Sequence, residues 1–432
     1  MTPDQRSSAE RTDAHDTIID AFQSRRRFLA GTATIGAAAL AGCTGGGGDG
    51  GGDGGGGGGG QSTNPDVDVL NYALTLEHLE HQFYKQGLEA FSKQQLQGAT
   101  EGVGGEVNAK LVGRLETIRA HEKGHVDTIT SVVDDLGGEP VGAAEYNFPL
   151  DDPAKFLATA SVLENTGVAA YKGAAPAIKS NDLLASALGI HSVESRHASF
   201  LNAVTGKSPY PKAFDAPKSP QKVTEAANPF FKADIAGSVG NLSGDGEPTA
   251  DRKKSDDRSD VAVLNYALTL EHLEHQFYRA GIEKFSDQQL RDADVLSKFD
   301  DELKQSVPGR LKTVRDHEKA HVDVITDTVN KLDGTPVGKA EYNFPLDHPT
   351  KFIQTARILE NVGVAAYAGA APSVKANAVF VAAAKIHSVE ARHAGFLNEL
   401  NGKSPYPKAV DQAMTKQEVL KAADPFFEQD MS

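Results

Sequence analysis

Two stretches of the sequence set an acid and an imidazole three positions apart, Glu122-x-x-His125 and Glu194-x-x-His197, and both recur downstream as Glu318-x-x-His321 and Glu390-x-x-His393. Glu77 and Glu164 each open a Glu-x6-Tyr pattern ending at Tyr84 and Tyr171, repeated as Glu271/Tyr278 and Glu360/Tyr367. These residues fall on apolar stripes of helical period. Leu111, Leu115, Ile118, Glu122, His125, Ile129 and Val132 follow a 4-3-4-3-4-3 spacing, and Leu183, Ala187, Ile190, Glu194, His197 and Leu201 form one face of another helix. Leu70, Ala73, Glu77 and Tyr84 share a face, as do Leu157, Ala160, Glu164, Gly167, Tyr171 and Ala174. Four carboxylates in one helical core cost several kcal/mol per ion even after relaxation, so protons or cations must compensate. Two divalent metals balance four glutamates, and two neutral imidazoles add ligands without adding charge. Oxygen and imidazole donors suit Fe and Mn; Zn fits by affinity but less well at a two-metal carboxylate site.

The elements that carry these residues are duplicated. Val69 to Tyr84 reads VLNYALTLEHLEHQFY and recurs letter for letter at Val263 to Tyr278, while the later matches carry a two-residue insertion between Tyr278 and Arg310. The repeats span 66–231 and 260–427, with the second domain running to 432. The segment 232–259 between them, rich in Gly, Ser, Asp and Lys, reads as a linker. Asp152-Pro153 predicts an N-cap followed by proline in the first turn, and Thr415 to Glu418 a capping box on a short final helix. The expected fold is all-α: two tandem four-helix bundles, each with one long crossover, the first at Leu136 to Asp151.

The combined pattern resembles the ferritin-like di-iron or di-manganese carboxylate domains, with the desiccation-related group of exported proteins as the nearest branch. The resemblance covers both repeats. It implies that the metal ligands are Glu77, Glu122, His125, Glu164, Glu194 and His197, and in the second copy Glu271, Glu318, His321, Glu360, Glu390 and His393. It further implies two Fe or Mn ions per bundle, iron ahead of manganese, and ferroxidase- or peroxidase-like oxidoreductase chemistry with oxygen or peroxide.

Two other readings stand beside it. His121-Glu122-x-x-His125 and His317-Glu318-x-x-His321 also match the zinc metalloprotease pattern, which leaves Glu164, Glu194 and His197 without a role. A metal-free structural protein of stress or desiccation would instead satisfy its carboxylates with protons or hydrogen bonds. Glu80, His81, His121 and His191 flank the stripes and read as half-buried or solvated rather than as extra ligands, with His78 exposed; Tyr84 and Tyr171 read as core packing ahead of hydrogen bonding to a carboxylate. Phe230, Phe231, Phe426 and Phe427 are expected to close bundle ends as ordinary core. The copies could pack on each other as a pseudo-dimer.

The first 42 residues resemble a twin-arginine lipoprotein signal of the kind found in halophilic archaea. Arg25 and Arg26 head Ser24-Arg25-Arg26-Arg27-Phe28-Leu29, a 15-residue Ala/Gly-rich stretch too short to span a bilayer follows, and Leu40-Ala41-Gly42-Cys43 matches a lipobox. Cys43, the only cysteine, is the expected lipidation site, and residues 43–65 a glycine-rich tether with an r.m.s. reach on the order of 25 Å. The expected location is outside the cell, anchored to the outer face of the cytoplasmic membrane. With 44 Lys+Arg against 59 Asp+Glu, a net charge of −15, the chain of 432 residues lacks the basic footprint of a nucleic-acid binder. A single cysteine also excludes an internal disulfide and any Cys-rich metal site.

Overall fold

Most helix starts among the described residues fall where the sequence supplies caps. In the computed structural model, which describes residues 64–100, 103–235 and 257–428, the Asn64 side chain accepts from Asp66 N and Pro65 opens α1 (Pro65–Ala90). Asp152 caps α4 (Pro153–Ala174) through Lys155 N, and Ser180 caps α5 (Asn181–Val204) through Leu183 N. Between them in the chain stand α2 (Lys93–Gly98) and α3 (Gly105–Asp135), and α6 (Pro220–Ala227) closes the repeat. The second repeat follows the same order: α7 (Asp257–Lys284), α8 (Asp287–Arg291), α9 (Asp301–Lys331), α10 (Pro349–Ala370), α11 (Asn377–Leu400) and α12 (Lys416–Ala423). Thr415 and Glu418 form the expected capping box on α12. A 3-10 turn at Asp294–Leu296 lies where the second repeat carries its insertion. Arg25, Arg26, Cys43, the glycine tract and most of the linker lie outside the described residues.

In each repeat four long helices make the bundle, α1 pairing with α3 and α4 with α5, then α7 with α9 and α10 with α11. The stripe residues Leu111, Leu115, Ile118, Leu157, Ala160 and Leu201 are fully buried, as the 3.6-residue period requires. Chain direction at the ends of α1 and α7 is fixed by buried acids. Asp66 accepts from Lys179 N and Ser180 N, and Asp260 from Lys375 N and Ala376 N, tying the first turn of each bundle to the start of its fourth helix. Helix α3 ends on Gly137 at φ 71, the left-handed geometry glycine adopts freely, whereas the matching position after α9 holds Asp333 at φ 52.

The stretch from Leu136 to Asp152 is non-helical and forms the crossover. It is pinned by a single bridge, Tyr146 to Phe231, matched in the second repeat by Tyr342 to Phe427, and by ring contacts of Tyr146 with Phe148 and Phe231 at 5.2 and 5.1 Å. Phe231, Phe426 and Phe427 are therefore buried against the crossovers, and Phe230 is half-buried.

The repeats belong to one compact unit, with α5 lying along α11. Their contacts are reciprocal. Arg196 donates to Asn361 Oδ1 at 3.0 Å and Arg392 to Asn165 Oδ1 at 2.9 Å, while His191 and His387, one on each repeat, face each other through their Nδ1 atoms at 3.3 Å. Lys172 breaks the correspondence. It is buried, donates to Ser388 Oγ at 3.1 Å and lies 3.7 Å from Asp215, and its counterpart in the second repeat is Ala368. Among the described residues no helix is long and apolar enough to cross a membrane.

Candidate metal centre

Helices α1, α3, α4 and α5 each turn one face of their stripe toward a common centre, so Glu77, Glu122, His125, Glu164, Glu194 and His197 converge there with no solvent exposure. Their donor atoms form two groups, Glu77, Glu122, His125 and Glu194, and Glu122, Glu164, Glu194 and His197, each within 4.8 Å throughout. Glu122 and Glu194 belong to both. His125 Nδ1 lies 3.0 Å from Glu77 Oε2, 3.2 Å from Glu122 Oε2 and 3.1 Å from Glu194 Oε1. The Nδ1 atom of His197 lies 3.1 Å from Glu122 Oε1 and 3.3 Å from Glu164 Oε2. The second bundle repeats the arrangement, with Glu318 and Glu390 shared between the Glu271/His321 and Glu360/His393 groups.

Several of these short contacts lack hydrogen-bond alignment. Both oxygens of Glu194, Glu122 Oε1, Glu164 Oε2 and His197 Nδ1 are buried without a hydrogen-bond partner, as are both oxygens of Glu390 and Glu318 Oε1. Leaving so many charged acceptors unpaired is costly, and a set of buried oxygen and imidazole donors converging in two overlapping groups fits a pair of hard or borderline cations.

Electrostatics point the same way. Burial raises Glu77 to about 7, and burial together with Glu122 and Glu164 raises Glu194 well above the carboxylate range. Burial pushes Glu122 up as well, but His125 and His197 outweigh it and hold Glu122 below its ordinary value. Burial likewise opposes charge on His197, yet Glu164 and Glu122 raise it to about 9. In the protein's own hands, protons on imidazole stand in for the missing positive charge.

The tyrosines do more than fill the core. The hydroxyl of Tyr84 donates to Glu164 Oε1 and that of Tyr171 to Glu77 Oε1, so each tyrosine holds the glutamate of the other Glu-x6-Tyr helix; Tyr278 and Tyr367 do the same for Glu360 and Glu271. The expectation of simple packing is corrected. Glu80 is corrected too: it is 3% exposed, and burial followed by repulsion from Glu164 and Glu122 raises it well above the carboxylate range. A fifth carboxylate therefore stands beside the four counted from the stripes, so two divalent cations leave one negative charge unless Glu80 is protonated. Its sequence signal was Gly167, a gap in the stripe of α4: a Cβ there would lie 3.1 Å from Glu80 Oε1 and 3.3 Å from Glu194 Oε2.

The flanking histidines divide. His121 and His191 are buried, against the expectation of half-burial or solvation, and His78 is half-buried with its Nε2 on Val141 O rather than exposed. His81 is half-buried, as expected. His121 turns away from the carboxylates: its Nδ1 meets His197 Nε2 at 3.1 Å, and it belongs to neither donor group. The two histidines of the His-Glu-x-x-His pattern thus do not converge on one ion.

The ferritin-like domain model matches residues 65–207 and 259–403, the greater part of the chain and both bundles. The chain belongs to the ferritin-like family. No curated protein is similar enough in sequence to extend that comparison. Within the family assignment, the shared Glu122 and Glu194 and the paired His125 and His197 make each ferritin-like bundle of this chain a candidate two-metal site.

Proposed function

We propose that each bundle binds two Fe or Mn ions, Glu77 and His125 serving one, Glu164 and His197 the other, and Glu122 and Glu194 both. The observation that carries the reading is the sharing of two glutamates between two buried donor groups, several of whose oxygens, both of Glu194 among them, lack hydrogen-bond partners. When bound, such ions supply one-electron exchange with oxygen or peroxide, as in Fe(II) oxidation or peroxide removal. The chain's own groups prepare the site. Tyr84 and Tyr171 orient the two unshared glutamates, and complete burial of the six donor residues keeps bulk water from them. His121 sets the proton of His197: with Nε2 of His197 donating to His121 Nδ1, its own Nδ1 is the nitrogen that would give up its proton and offer a lone pair to a cation held with Glu122 and Glu164. The protein carrying these sites is exported through its Arg25-Arg26 signal and held at the outer face of the membrane by lipid on Cys43, as a redox or stress-protective protein.

Elemental analysis of the mature protein tests the reading. About four Fe or Mn ions per chain are expected from four donor groups. Glu122→Ala should empty the first bundle and leave the second loaded; unchanged metal content in that variant refutes the ligand assignment.

A further inference from the structure

The outer nitrogen of His125 is held by the other repeat. Its Nε2 lies 2.6 Å from the carbonyl oxygen of Ala409, in the segment that leaves α11, and His321 Nε2 lies 2.8 Å from the carbonyl of Ala213, in the segment that leaves α5. A carbonyl only accepts, so Nε2 carries a ring proton in either charge state, and Nδ1 is the nitrogen left to exchange its own proton for a cation among the three surrounding glutamates. The tautomer required for metal ligation is thus written into one repeat by the backbone of the other.

Each of these arms is fastened at both ends. Tyr406 donates to Arg114 O at 3.2 Å and sets its ring edge-on to His197 at 4.7 Å; Tyr210 donates to Arg310 O at 3.2 Å and meets His393 at 4.8 Å. Beyond the alanine, Asp411 N donates to Gly189 O and Arg196 Nε donates to Asp411 Oδ2 at 2.7 Å; Asp215 receives Arg392 Nε at 2.8 Å and its N donates to Lys385 O. Both arginines are nearly fully buried, so these ion pairs are shielded from salt and fix the arm tightly.

We infer that each metal centre is completed by the arm of the other repeat, so that Tyr406, Ala409 and Asp411 are positioning residues for the first bundle's site, and Tyr210, Ala213 and Asp215 for the second's. The inference rests on the proposed metal reading and makes a crossed prediction that a purely local structural role does not. Metal held by the first bundle answers to substitutions in the second repeat, and the reverse.

The test uses full chains with one site each, Glu318→Ala to leave the first bundle's site and Glu122→Ala to leave the second's, loaded with Fe(II) or Co(II). In the Glu318→Ala chain, Asp411→Asn should speed metal loss to a chelator by roughly 10- to 100-fold, the usual effect of removing a partner that orients a ligand, and should shift the Co(II) absorption bands. Asp215→Asn should leave both readings unchanged. In the Glu122→Ala chain the two variants should exchange roles. Tyr406→Phe and Tyr210→Phe, which keep the rings and remove only the hydroxyl anchors, repeat the comparison in chains whose helix content matches the parent. Ion-loaded chains in which an arm variant weakens its own repeat's site, or both sites equally, or neither, overturn the crossed assignment. A parent chain that binds no ion at all overturns the metal reading beneath it.

Discussion

Stripping the metal should make stability fall as pH rises, and the buried groups set the window. Without cations, Glu77 and Glu271 protonate at about 7 instead of 4.5, chiefly because burial penalises the anion. Between those values the folded chain keeps protons that the unfolded chain has released, so stability falls as pH climbs from 4.5 to 7, by about 3 kcal/mol for each carboxyl. His197 and His393, raised to about 9 by Glu164 and Glu360 and the other glutamates beside them in spite of burial, act in the same direction. Their stabilisation is complete below the unfolded value of 6.5 and is lost as pH rises through 9. Glu122 and Glu318, held low by their histidines, work oppositely: their contribution is present above 4.5 and disappears as pH falls below it. The metal-free chain should therefore be most stable near about pH 5. Bound divalent ions remove this dependence by replacing the protons, and they bind less tightly in acid because protons compete for the ligands. Melting temperatures of loaded and chelated protein, taken by circular dichroism from pH 5 to pH 8, should show a gap that widens with pH. The glutamate and histidine contributions together come to about 5 kcal/mol per bundle over that range, so at roughly 2–4 °C per kcal/mol the change is on the order of 10–20 °C. A chelated protein that melts with the loaded one at pH 8, or a gap that grows toward acid, refutes the reasoning and favours the metal-free structural reading.

Three further outcomes are expected. Gly167→Ala brings a methyl to 3.1 Å from Glu80 Oε1 and should cost about 1–3 kcal/mol, whereas exposed Gly113→Ala, with nothing within 4 Å of its new Cβ, should gain about 0.5–1 kcal/mol; denaturant midpoints separate the two. Asp333→Gly relieves the left-handed geometry that Gly137 adopts freely in the first repeat, and should raise the melting temperature by the equivalent of about 1 kcal/mol. Cys43→Ser should move the protein from the membrane to the soluble fraction, and retention on membranes in high salt would defeat the lipid-anchor proposal.

The fold and the six donor residues of each bundle were legible because both follow from one-dimensional spacing. A Glu-x-x-His on a 3.6-residue stripe has to point where the leucines point, and a capping side chain acts on its own helix. Glu80 was missed because it stands just off the stripe of α1, and only the gap at Gly167 on a different helix gives its carboxylate room. The tyrosine hydroxyls were equally hidden: Tyr84 and Glu77 share a helix, yet Tyr84 bonds Glu164. The destination of the arms was least readable of all. Because the GKSPYPKA segments and the surfaces that receive them occur in both repeats, the sequence is equally consistent with an arm folding onto its own bundle or crossing to the other. Only the tertiary arrangement distinguishes the two.

Lys172 shows what joining two repeats in one chain permits. Identical subunits meeting across a two-fold axis can add charges at their interface only in pairs, one from each partner. A fused chain is free of that parity and can place a single ammonium beside Ser388 and Asp215 while Ala368 occupies the opposite position. Burial already lowers this lysine to about 7, and a second one at the matching position would put a second ammonium under the same desolvation. The halves have thus ceased to be interchangeable. A chain built from two second repeats would bury no such ammonium, whereas one built from two first repeats would bury two, each beside its own Asp215.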